Sequence, residues 1–143
     1  MTVKAILSRK GSDVVTIAPT ANLSEAVTLL AEKRIGAVIV TGADNRVAGI
    51  LSERDIVRAL GERGADALGD NIAAVMTRKV TTCVEADTVA DIMERMTTGK
   101  FRHVPVVEQG RLTGVISIGD VVKFRVEEIE RESDALREYI ATA

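Results

Sequence analysis

Ser52-Glu53-Arg54-Asp55 and Ser117-Ile118-Gly119-Asp120 each set a hydroxyl and a carboxylate three residues apart. Each follows a short apolar run, Gly49-Ile50-Leu51 or Gly114-Val115-Ile116. At a helix start this spacing is a capping box: the Ser oxygen accepts from a free N–H, and the acid reaches back to the cap. The same groups also suit a ligand. A helix N-terminus with free N–H groups and a hydroxyl attracts phosphate. The neighbouring carboxylate can accept two hydrogen bonds from a vicinal diol such as a ribose. The two readings are compatible, because the cap builds the site. Two copies 65 residues apart weight the pattern towards a paired site.

Other reactive side chains are few. His103 and Cys83 are the only histidine and cysteine. One cysteine excludes an internal disulfide and a Cys-rich zinc site, and one histidine excludes a two-histidine metalloprotease helix. No metal is expected. A Cys83–His103 nucleophile–base pair lacks a third orienting group and any low-pKa signature. His103 reads as an ordinary strand residue or, with Arg102, as an anion contact. Arg54 reads as a first-turn surface residue or as a phosphate contact. Neither Gly-Lys-Ser/Thr nor Gly-x-Gly-x-x-Gly occurs, so nothing indicates nucleotide hydrolysis or a dinucleotide fold of that type.

The elements that must position these groups form an internal repeat. Val15-Thr16 answers Val80-Thr81. Leu23, Ala26, Val27 and Leu30 answer Val89, Ile92, Met93 and Met96. Ala37-Val38-Ile39-Val40 answers Val104-Pro105-Val106-Val107 at an offset of 67. Each repeat predicts β-α-β-β-α. The opening β runs are Val14–Ile17 and Val80–Thr82, and Asn22 and Thr88 serve as helix caps. Gly42-Ala43-Asp44-Asn45 and Gln109-Gly110 are hairpin turns. The fold class is α/β (α+β), with two repeats packed as one pseudo-twofold module. The expected divisions are 1–61 for repeat one with an N-terminal extension, 62–77 for a linker, 78–125 for repeat two and 126–143 for a C-terminal helix extension. Val122, Val126, Ile129, Leu136 and Ile140 form a coiled-coil-like stripe on the last helix, expected from Gly119 to about Ala141. The stripe either packs on its own domain or serves a dimer.

Composition bounds the partners. A length of 143 residues suits one domain and leaves little room for a catalytic domain as well. A net charge of −2 gives no field to hold nucleic acid or an acidic membrane, and 2% aromatics cannot build a base-stacking platform for single strands. No apolar run approaches a membrane span. Ala5-Ile6-Leu7 is short for a signal peptide, so the cytoplasm is the expected compartment.

The doubled Ser-x-x-Asp runs, the Val-Thr openings and the strand Val104-Pro105-Val106-Val107 resemble a tandem pair of cystathionine-beta-synthase-type (CBS) domains, a Bateman module, from about Val14 to Lys123. The resemblance implies a non-catalytic, stand-alone regulatory sensor of adenosine-containing ligands: AMP, ADP, ATP, S-adenosylmethionine or NAD. It implies a flat homodimer and an unidentified regulated protein. It also implies two clefts, each combining the Ser-x-x-Asp of one repeat with strands of the other. Asp55 and Asp120 would hold ribose, with Ser52 and Ser117 near phosphate. Thr16, Ile35, Gly36 and Ala37 would face Asp120. Thr81, Arg102, His103 and Val104, followed by Pro105, would face Asp55. A pure protein-interaction module without bound nucleotide is the alternative.

Overall fold

Asn22 and Thr88 start helices as their side chains predict. Asn22 Oδ1 accepts from the Glu25 N–H at 2.9 Å, and Thr88 Oγ1 accepts from the Asp91 N–H at 3.1 Å. Each such cap is worth about 1 kcal/mol. Both helices end on a basic residue in the left-handed region, Arg34 (φ 54°) and Lys100 (φ 57°). The computed structural model describes residues 1–142. Ala143, the last residue of the expected C-terminal extension, lies outside them.

In chain order the elements are α1 (Val3–Lys10), β1 (Thr16–Ile17), α2 (Leu23–Lys33), β2 (Ala37–Thr41), β3 (Val47–Ser52), α3 (Glu53–Arg63), α4 (Ile72–Val75), α5 (Val89–Gly99), β4 (His103–Glu108), β5 (Arg111–Ser117) and α6 (Ile118–Thr142). Short 3₁₀ segments cover Ala43–Asn45 and Gly64–Gly69. One sheet has the order β1-β2-β3, with β1 parallel to β2 and β2 antiparallel to β3; the other is the β4-β5 hairpin. The hairpin turns on Gln109 and Gly110, both at positive φ, as a primed turn requires.

Two expectations about the strands change. Val80–Thr82 forms no strand. Only Cys83 bridges Val106, where β1 pairs two residues with β2. The strand registers, Ala37 with Ser52 and His103 with Ser117, set the middle-strand offset at 66 rather than 67. Gly36 and Ala37 therefore answer Arg102 and His103, and Pro105 answers Ile39.

The buried residues form two cores. One joins Leu23, Ala26, Leu30, Val38, Val40, Leu51 and Ile56 to Ile72 and Met76. The other joins Val89, Ile92, Met96, Val104, Val106, Ile116, Val121 and Phe124 to Val3, Ile6 and Leu7. Val27 and Met93, expected on the buried stripes, are exposed at matching positions. The helices that lead each repeat are thus exchanged: α1 precedes repeat one but packs on repeat two, and α4 precedes repeat two but packs on repeat one. Matching backbone bonds hold them. Ile72 N–H donates to Ala21 and Leu23 N–H to Asp70; Val3 N–H donates to Asp87 and Val89 N–H to Met1. Leu7 and Met76 occupy equivalent places. Each lies over a glycine on the last strand of the sheet it covers. A Cβ on Gly114 would stand 2.8 Å from Leu7 Cδ2, and one on Gly49 would stand 2.7 Å from Met76 Sδ.

Candidate ligand-binding clefts

Ser52 and Asp55 form the expected capping box. Ser52 Oγ accepts from the Asp55 N–H at 3.3 Å, and Asp55 Oδ2 accepts from the Ser52 N–H at 3.0 Å. Two further donors complete this buried carboxylate. Arg58 Nη2 donates to Asp55 Oδ1 at 2.7 Å, and Thr77 Oγ1 donates to the same oxygen at 3.2 Å. Reciprocal 2.9 Å backbone bonds between Thr77 and Ile50 place that hydroxyl.

A cavity of about 420 Å³ opens beside Asp55, within the usual range of small-molecule sites. Ser52, Arg54 and Asp55 of repeat one line it together with Thr81, Arg102 and His103 of repeat two. This is the crossed grouping that the resemblance implies. The lining also takes in groups that sequence reasoning missed: Arg58, Thr77, Lys79, Lys100 and Phe101. Five Lys and Arg side chains face two carboxylates there, Glu53 and Asp55. Phe101 lies against Gly99, where a Cβ would stand 2.1 Å from the ring. Gly36, expected opposite Asp120, borders this cleft instead. Val104 and Pro105 are buried and line none of the cavity.

The Asp120 side is built differently. Asp120 Oδ2 accepts from the Ser117 N–H at 2.9 Å, and Ser117 Oγ accepts from the Asp120 N–H at 3.2 Å. Lys10 Nζ, from the exchanged α1, then donates to Asp120 Oδ2 at 2.6 Å and to the Val115 carbonyl at 2.7 Å. Burial pushes the Asp120 carboxyl up, but the Lys10 and Ser117 hydrogen bonds more than offset this and hold it below its ordinary value. Ser117 and Asp120 do not line the cavity beside Asp55. Thr16 is exposed on β1, Ala37 is buried and paired with Ser52, and Ile35 borders an open hollow between α2 and α3.

His103 stands between the two sides. Burial lowers its pKa, and the Lys10 charge lowers it further against the opposing pull of Asp120. Burial pushes the Cys83 thiol up to about 12, helped by the Asp87 charge, so Cys83 is an inert core thiol. No group of three or more His, Cys, Asp or Glu stands ready for a metal among the described residues.

The CBS-domain family profile matches residues 3–62 and again 72–127. The chain belongs to the CBS-domain family. Among solved structures, a CBS-domain protein of Agrobacterium tumefaciens is 50% identical, with a TM-score of 0.84 over 87% of this chain and 99% of that one. A CBS-domain protein of Pyrobaculum aerophilum complexed with AMP is 32% identical, with a TM-score of 0.75 over 84% of this chain and 89% of that one. A mitochondrial CBS-domain protein of Arabidopsis thaliana is 32% identical over 81% of this chain. The CBS pair described here spans 58% of that plant protein's length, and 66% of that of a similar protein of Acidianus ambivalens. The matched segments begin at Val3 and Ile72, so they include both exchanged helices. No helix among the described residues is long and apolar enough to cross a membrane.

Proposed function

We propose that this CBS pair is a regulatory sensor, not an enzyme, that binds a phosphate-bearing adenine nucleotide in the Asp55 cleft. The carrying observation is the crossed cavity: one repeat supplies the capped helix start and its carboxylate, and the other supplies Thr81, Arg102 and His103. Asp55 takes the ribose hydroxyls as Arg58 swings off its oxygen. Ile50, Val80 and Phe101 give the base an apolar wall. The five cations suit phosphate, with Arg54 and Arg102 able to pair in bidentate fashion. The complex of the Pyrobaculum relative with AMP supports this ligand class, as does a 25% identical CBS pair in complex with methylthioadenosine and S-adenosylmethionine. AMP, ADP and ATP are the first ligands to test, with NAD as a larger member of the class. The cytoplasm is the proposed compartment, and a separate regulated protein reads the signal.

Titration calorimetry with AMP and adenosine tests the reading. AMP should bind more tightly than adenosine, and equal affinities would remove the phosphate assignment. Asp55 is already fully engaged by Arg58, Thr77 and Ser52, which favours the second reading, an interaction module that binds no nucleotide. Melting separates the two. AMP at 100 times its dissociation constant adds about 2.7 kcal/mol, worth about 5 °C or more at this size. No shift with any adenine nucleotide would favour the interaction module.

A homodimer is the proposed assembly. Val122, Val126, Ile129, Leu136 and Ile140 are each about half exposed or more, so the stripe is not packed on its own chain. The steps of four and three fit a helix–helix seam. Light scattering of a chain ending at Val126 should show weakened dimers that still bind AMP. An unchanged dimer would assign assembly to the remaining surface.

A further inference from the structure

The exchanged helices put different side chains on the two candidate ribose carboxylates. Leu7-Ser8-Arg9-Lys10 occupies in one half the place of Met76-Thr77-Arg78-Lys79 in the other, as the contacts of Leu7 and Met76 with Gly114 and Gly49 show. In the first half, α4 stops at Val75 and Met76 is extended (φ −60°, ψ 155°). Thr77 then reaches Asp55, while Lys79 lines the open cavity. In the second half, α1 stays helical to Lys10 before Gly11, at φ 91°, ends it. Ser8 Oγ turns back to the Lys4 carbonyl, and Lys10 reaches Asp120. Arg9 fixes this end of α1. Its guanidinium pairs with Glu127 and stands 5.0 Å over the Phe124 ring.

We propose that Lys10 closes the second cleft from within, so that the chain binds one nucleotide, at Asp55, rather than two. This inference rests on the function proposed above for the Asp55 cleft. Lys10 Nζ holds the carboxylate oxygen and the strand carbonyl that border the helix start. A ribose can take Asp120 only by displacing that ammonium. Arg54 and Arg102 of the Asp55 cleft are answered by Gly119 and Gly36, so two of its five cations have no counterpart to repay the displacement. A dinucleotide gains no second anchor there. Lys10 thus sets the number of ligands bound.

Equilibrium dialysis with radiolabelled AMP tests the closure on the full chain, with Lys10→Met and Lys10→Gln as parallel variants checked by melting. The wild-type chain should take one AMP at saturation and each variant two. Adding Asp120→Ala to Lys10→Met should remove the gained site. Two AMP on the wild-type chain, or one on the wild type and still only one on both variants, would overturn the closure. If Lys10 were instead a phosphate ligand of the second cleft, the wild type would hold two AMP and Lys10→Met would weaken one of them, also overturning it. No AMP on the wild type with one on Lys10→Met would keep the closure and remove the Asp55 reading. No AMP on any of these proteins would overturn both.

Discussion

The Asp55 and Asp120 halves share a capping box, a strand–helix junction and a leading helix exchanged from the other half, yet the cavity of about 420 Å³ is lined by Asp55 and not by Asp120. At Asp55 the neutralising cation is Arg58, three residues further along the same helix, with 57% of its side chain exposed. It borders the cavity without filling it. At Asp120 the cation is Lys10, from a helix 110 residues away in sequence, and it lies across the helix start. The equivalent of Arg58 is Lys123, which makes no ion pair among the described residues. The difference traces to helix length. Eight residues of α1 carry Lys10 onto the carboxylate, whereas the four residues of α4 end at Val75 and leave Lys79 beyond the helix, beside the cavity. The general lesson is that duplicated motifs diverge through the segments that approach them from outside, even when the motifs stay alike.

The largest expected contrast lies at the carboxylates. Asp55→Asn keeps a capping acceptor but removes charged acceptance of a ribose. Hydrogen bonds to charged groups are worth roughly 1.5–3 kcal/mol, so AMP affinity should fall about 10- to 100-fold by calorimetry. Asp120→Asn should change it much less. Equal losses at both positions would erase the distinction between the halves, and wild-type affinity in Asp55→Asn would remove the ribose assignment.

Arg102→Ala sharpens the contrast at the phosphate end. The preference for AMP over adenosine should shrink by about tenfold or more through loss of a charge-assisted bond. Arg102 has only Gly36 as its counterpart, so no matching change exists in the other half. An unaltered preference would make Arg102 a surface charge.

A smaller contrast concerns how tightly each exchanged helix seats. A methyl on Gly49 would meet Met76 Sδ and the Thr77 carbonyl oxygen, both at 2.7 Å, and the carbonyl belongs to the backbone. A methyl on Gly114 would meet only Leu7 side-chain carbons, which can rotate. Gly49→Ala should therefore destabilise by about 1–3 kcal/mol in denaturant melts, and Gly114→Ala by less. The reverse order would mean that Leu7 is the more firmly held of the two.

The smallest expected effect is that of pH at His103. Its folded pKa is depressed, by burial first and by Lys10 next. The unfolded chain therefore binds the proton at higher pH than the folded one. The resulting stability is complete above the ordinary histidine value of about 6.5 and is lost as pH falls towards the folded pKa. The wild type should lose more stability than His103→Gln between about pH 7 and 5. Lys10→Met should reduce that loss, because one cause of the depression is gone. Parallel pH profiles for wild type and His103→Gln would show that His103 contributes no such linkage.

The sequence by itself determined the local features: the two repeats, the caps at Asn22, Thr88, Ser52 and Ser117, the hairpin at Gln109-Gly110 and the candidate carboxylates. The caps, the turn and the carboxylates each depend on groups within about four residues of one another, so composition and period carry the signal, and the repeat is that signal recurring about 65 residues on. The family resemblance supplied the crossed pairing of Asp55 with Arg102 and His103. Tertiary structure decided the rest. The repeat containing Ser8-Arg9-Lys10 and Thr77-Arg78-Lys79 is hard to see in the sequence. Three extra residues, Gly11-Ser12-Asp13, shift its offset to 69 while the neighbouring elements keep about 66. Val80–Thr82 has the composition of a strand, yet only Cys83 reaches the β4 backbone. Which lysine closes a cleft and which lines one depends on where a helix ends and on a partner about 110 residues away. Such a choice is made by packing between distant segments, and no local spacing encodes it.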